Sequence, residues 1–85
     1  MKTYIYHQDP GHGWLEVNKS ELKALGLEQE ITSYSYAKGN KVYLEEDCDA
    51  ALFLEKLNEN GEDFIVQNVF KENTPIRNYD PYYPL

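Results

Sequence analysis

His7, Asp9 and His12 are spaced as H-x-D-x-x-H near the N-terminus. Imidazole and carboxylate groups ligate zinc or iron, and a histidine beside a carboxylate can move protons near neutral pH. The three residues fall inside "YHQDPGHGW", Tyr6 to Trp14. A flexible loop there could gather them on one ion, with Glu45, Glu46 or Asp47 as a further ligand. Against this, the spacing matches no recurring metal motif, and Asp9-Pro10-Gly11 is a strong turn signal. Pro10 presets φ at the first central position of a turn, and Gly11 accepts a positive φ at the next. The expectation is therefore a direction-changing loop with exposed histidines. No metal and no other cofactor is expected, with His7, Asp9 and His12 as weak metal candidates.

A second cluster lies at "EEDCD", Glu45 to Asp49. His12 beside this run would make an acid-base pair. Cys48 at a helix N-terminus would have a lowered thiol pKa, but Glu45, Glu46, Asp47 and Asp49 raise it. A buried structural cysteine is expected. There is no Gly-x-Ser-x-Gly elbow and no phosphate-binding Walker loop, and Gly11-x-Gly13 is too short for a dinucleotide fingerprint. The motifs give no ground for expecting an enzyme.

The elements that must position these residues follow from pattern. Lys2 to His7 alternates and is rich in β formers. Trp14 to Val17 can pair back on it as a hairpin, with Trp14 at the edge of the core. Asn18 to Leu27 predicts a short helix, with Asn18 as N-cap, Glu21 in a capping box and Gly26 as the stop. Ile31 to Ala37 and Lys41 to Glu45 read as a hairpin about Gly39-Asn40, with Tyr34 and Tyr36 on one face of the first arm. Asp47 to Gly61 predicts the clearest helix, capped by Asp47. Its Ala50, Phe53, Leu54 and Leu57 form a core-facing stripe. Asp63 to Phe70 is nearly continuous in apolar residues and reads as a central strand. The segment after it, "KENTPIRNYDPYYPL", has neither period and reads as an extended tail, docked or free.

The predicted fold is therefore α+β: a small antiparallel sheet with two helices on one face, in the β(β)αββαβ order of ferredoxin-like, split-βαβ proteins. Residues 1–71 form one domain and residues 72–85 a C-terminal tail.

Length and charge narrow the function. A chain of 85 residues buries a small core. Cys48 is its single cysteine, so no internal disulfide helps, which suits a reducing compartment. No run approaches the ~20 apolar residues that cross a bilayer, and no signal peptide is legible. The formal net charge is -7. That charge repels phosphate backbones and anionic lipid, so neither direct nucleic-acid binding nor membrane binding is expected. A DNA-mimic version, with Glu45, Glu46, Asp47, Asp49, Glu55 and Glu59 presenting the charge, is a minor possibility. Eight tyrosines suit strands and also protein interfaces.

The blocks "DPGHGWLEV" and "YSY…G…VYLEEDCDAALFL" resemble a family of short proteins carried by bacteriophages, prophages and other bacterial mobile elements. The resemblance spans roughly Asp9 to Leu54 and implies a bacterial cytoplasm, but no catalytic or binding residue. The expected function is a small acidic interaction protein that binds and modulates a host or phage protein. Its expected surface is His12, Trp14, Tyr34, Tyr36, Tyr43, Glu45, Glu46 and Asp47; the Tyr79, Tyr82, Tyr83 and Pro84 tail reads equally as a recognition segment or as a strap that wraps the domain and adds buried area. The alternative is a metal-dependent or acid-base enzyme built on His7, Asp9, His12 and the acidic run. An exposed sheet edge would also permit a homodimer.

Overall fold

The structure is a computed structural model that describes residues 1–83; Pro84 of the expected recognition segment lies outside the described residues. The chain is α+β, with a six-stranded mixed sheet and two helices. The elements are β1 (Lys2–Gln8), β2 (Gly13–Asn18), α1 (Lys19–Ala24), β3 (Tyr36–Lys38), β4 (Lys41–Glu45), α2 (Asp49–Glu59), β5 (Phe64–Phe70), a 3-10 turn (Pro75–Asn78) and β6 (Asp80–Pro81). Across the sheet the order is β5-β1-β2-β4-β3-β6. Among the described residues, no helix is long and apolar enough to cross a membrane.

β1 and β2 form the expected hairpin, with His7 opposite Trp14 and Gln8 opposite Gly13. The turn is built by Asp9, whose Oδ1 accepts from the amides of Gly11 (2.9 Å) and His12 (2.8 Å). Gly13 is required by a close approach: a Cβ there would lie 2.1 Å from the Tyr6 hydroxyl, which crosses it to donate to Glu46 (2.6 Å). Helix α1 starts at Asn18, whose amide donates to Glu21 (3.1 Å), and stops at Gly26 with φ +71. Gly39, at φ +59, turns β3 into β4 and sets Lys38 opposite Lys41.

The two sheet faces are covered differently. Leu22 of α1 and Ala50, Phe53 and Leu57 of α2 pack with Tyr4, Leu15, Val17, Val42 and Leu44 in one core, so both helices lie on one face. The other face carries a smaller cluster of Trp14, Tyr43 and Ile76, with Tyr36 and Tyr79 against it. Residues 74–79 close that second face, and Tyr82 beyond them packs into the helical core. Thr74 starts the 3-10 turn, β6 pairs with β3, and the Tyr82 hydroxyl donates to the Glu28 carbonyl (2.8 Å). The tail is thus docked as far as Tyr82, while Tyr83 is exposed.

Four local expectations are corrected. The sheet is not wholly antiparallel: β5 runs parallel to β1, so the strict split-βαβ order does not hold. β5 is an edge strand rather than a central one; an apolar run does not say which neighbours long-range pairing will supply. The first hairpin arm shrinks to Tyr36–Lys38, because residues 31–35 turn back toward α2. Asp47 does not cap α2; Cys48 holds the N-cap position, with no side-chain cap bond.

Those turning residues close on Asp49, the first residue of α2 and almost wholly buried. Its Oδ2 accepts from the Thr32 amide (3.0 Å), the Thr32 hydroxyl (2.8 Å) and the Ser35 hydroxyl (2.5 Å). Ser35 Oγ in turn accepts from the Glu45 amide (2.9 Å), and the Ser35 carbonyl from the Tyr82 amide (2.8 Å). Asp49 therefore cannot present charge to a partner, which removes it from the DNA-mimic set. Asp49→Ala would leave the buried Ser35 hydroxyl and the Thr32 amide without their acceptor. We expect a loss of about 2–4 kcal/mol, given the usual strength of hydrogen bonds to buried charged groups, read as a lower urea midpoint with unchanged slope.

Candidate functional site

β2 and β4 run side by side with Trp14 opposite Glu45, and this register founds the site. Trp14 is buried and meets Tyr36 edge-on, ring centroids 6.2 Å apart. Arg77, from the 3-10 turn, lays its guanidinium 5.3 Å from the centre of the Trp14 ring. The His12 ring lies 6.0 Å from that of Trp14. Tyr34 stands on the rim with 71% of its surface exposed. Together with Glu45, Asp47 and Cys48 these residues line an open cleft of about 340 Å³.

The acidic wall is held by main-chain bonds. Glu45 Oε2 accepts from the amides of Asp47 and Cys48, both at 3.1 Å. The Glu46 amide donates to the Gly13 carbonyl (3.1 Å), tying the acidic turn to the start of β2. The Asp47 side chain is exposed at the rim.

Opposite it, Arg77 forms a two-pronged pair with Asp9, Nε to Oδ2 at 2.5 Å and Nη2 to Oδ1 at 3.0 Å. The Asp9 carboxyl is held well below the usual carboxylate range by Arg77 first, then by the amides of His12 and Gly11, against partial desolvation. This pair commits Arg77, the one Lys or Arg lining the cleft among the described residues, and clamps the tail across the hairpin loop.

The residues anticipated as a surface separate. His12, Trp14, Tyr34, Tyr36, Glu45 and Asp47 all line the cleft. Tyr43 does not: it is buried beneath Tyr79, ring centroids 5.2 Å apart, and burial with Glu16 and Tyr79 beside it pushes its hydroxyl up to about 12. Glu46 sits next to the cleft, bonded to Tyr6.

H-x-D-x-x-H does not assemble as a unit. His7 Nε2 pairs with Glu16 Oε1 at 2.9 Å, and Asp9 is committed to Arg77. The acidic run takes their place: ligand atoms of His12, Glu45 and Glu46 all lie within 4.8 Å of one another. His12 thus leaves the loop toward the start of α2. Cys48, expected to be buried, is exposed. Local desolvation and then the Glu45, Asp49 and Asp47 carboxylates push its thiol up, which disfavours a nucleophilic thiolate.

Sequence reasoning missed Arg77. The available signal was that it is the single arginine, placed in a proline-rich tail of an acidic chain. A scan against protein-family models, a search of curated proteins and a search of solved structures each return no match.

Because the Asp9 pKa is lowered by folding, its share of stability is fully present above the unfolded value near 4 and is lost as pH falls through the lower folded value. Unfolding midpoints of the wild type should therefore drop on going from about pH 5 toward pH 2. In Arg77→Ala that part of the slope should shrink. Equal slopes in urea titrations of the two proteins would show that the pair does not carry this dependence.

Proposed function

We propose that the protein is a small binding module whose cleft takes a cationic side chain, Lys or Arg, presented by a protein partner. The observation that carries this reading is the meeting, in one cleft, of the Trp14, Tyr36 and Tyr34 rings with the Glu45 and Asp47 carboxylates. Aromatic faces attract a cation by about 0.5–1 kcal/mol each at exposed sites and more when desolvated. The two acids add a field that the Asp9-bound Arg77 does not cancel, and the net charge of -7 steers a basic surface toward the cleft. The resemblance to phage and mobile-element proteins supports a host or phage protein of a bacterial cytoplasm as that partner.

Trp14 is the only tryptophan, so its fluorescence reports on the cleft directly. Short acetylated peptides carrying one Lys or Arg beside a leucine should give saturable quenching, with amide shifts at His12, Tyr34, Tyr36 and Asp47. Binding should weaken about five-fold in Tyr34→Ala or Asp47→Asn, the loss of one exposed contact each. Peptides in which acetyl-lysine or citrulline replaces the cation should not bind. Equal binding of charged and neutral peptides, or shifts confined to another face, would overturn the reading.

A second reading is favoured by the convergence of His12, Glu45 and Glu46. One imidazole and two carboxylates suit a divalent zinc, manganese or iron ion with open positions for water. It expects about one equivalent of metal after chelator-free purification, lost in His12→Ala. No stoichiometric metal, and no saturable change on adding zinc, would remove it.

A further inference from the structure

β5 is the open edge of the sheet. Its seven residues, Phe64 to Phe70, contain no charge and no proline, the usual devices that keep an edge from pairing. Ile65, Val66 and Phe70 are 49%, 37% and 60% exposed. The opposite edge, β6, is two residues long and ends in Pro81, so it is blunted.

The ladder shows which groups are free. The Lys71 amide donates to the Gln8 carbonyl (2.9 Å). In a parallel ladder alternate residues turn both main-chain groups to the same neighbour. The odd-numbered residues of β5 therefore bond to β1, and Phe64, Val66, Asn68 and Phe70 point their N–H and C=O groups outward.

We propose that β5 pairs antiparallel with β5 of a second copy of this chain, with Gln67 on the two-fold axis. In this register the outward-facing residues oppose one another: Val66 meets Asn68 of the second copy, and Phe64 meets its Phe70, covering the exposed ring. Asp63 meets Lys71 of the second copy. Neither residue makes an ion pair within its own chain among the described residues, so the charges at the two ends of the strand are complementary under the two-fold. Elsewhere a chain of net charge -7 repels its copy; this uncharged strand is where two can approach. The surface is separate from the cleft and does not depend on what the cleft binds.

Sedimentation equilibrium of the full chain, from micromolar to millimolar, should show a monomer–dimer transition. Amides of Val66 and Asn68 should gain protection from hydrogen exchange as the dimer forms. Asn68→Pro removes an outward N–H at an edge where proline is tolerated and should leave a folded monomer by circular dichroism. Lys71→Glu should weaken association about ten-fold, since two complementary pairs become repulsive, and Asp63→Lys added to it should restore association. A monomer throughout, a dimer unaffected by Asn68→Pro in a folded variant, or a double charge swap that restores nothing would each overturn the pairing.

Discussion

The buried carboxylate of Asp49 ties together the parts of the molecule that make the cleft. Its three bonds fold the 32–35 segment back onto the start of α2. Ser35, fixed by it, holds the Glu45 amide at the end of β4 and the Tyr82 amide of the tail. Tyr34 and Tyr36 flank Ser35, and Cys48 precedes Asp49. One desolvated charge thus positions two aromatic walls, the acidic turn and the returning tail. Its burial is offset by the three hydrogen bonds that Oδ2 accepts.

Around this point the sheet divides its work. The helical face holds the larger core and supplies most of the stabilising apolar burial. The other face is closed by a short tail that brings few apolar side chains, Ile76 and Tyr79 chief among them. Tyr36 and Tyr79 on that side are consequently half-covered, while Trp14 lies buried at the floor of the cleft beneath the Arg77 guanidinium. The pairing of Arg77 with Asp9 makes this thin cover stable, with a guanidinium that stacks on the indole and binds the loop carboxylate together.

Local chemistry was legible in the sequence. The Asn18–Glu21 start, Gly26, Gly39 and the Ala50–Leu57 stripe each act within a turn or two of chain, and each appears where its residue types place it; the Asp9-Pro10-Gly11 loop also turns the chain, but through the Asp9 carboxylate and without the positive φ expected at Gly11. What failed was long-range. β5 reads the same in the centre of a sheet or at its rim, because its apolar content says nothing about which strand lies beyond it. Asp49 reads as a dipole-complementing helix start, which it is; its partners Thr32 and Ser35 are too far along the chain for that pattern to reveal. Six of the cleft's residues were named from type and spacing, His12 and Glu45 included. Tyr43 was included because an amphipathic ring suits both surface and core, and only the docking of Tyr79 decides between them.

The tail's contribution has a consequence for how the protein is made. Arg77, Tyr79 and Tyr82 come late in the chain, after both helices and five strands have been specified. On a nascent chain the helical core can assemble while Trp14 and Tyr43 face solvent unshielded, as an aromatic patch of the sort that captures chaperones or sticks to neighbours. Synthesis through Tyr79 both hides that patch and brings in Arg77, which completes the cleft wall. The cleft therefore forms later than the helical core, only after the chain through Arg77 has been made.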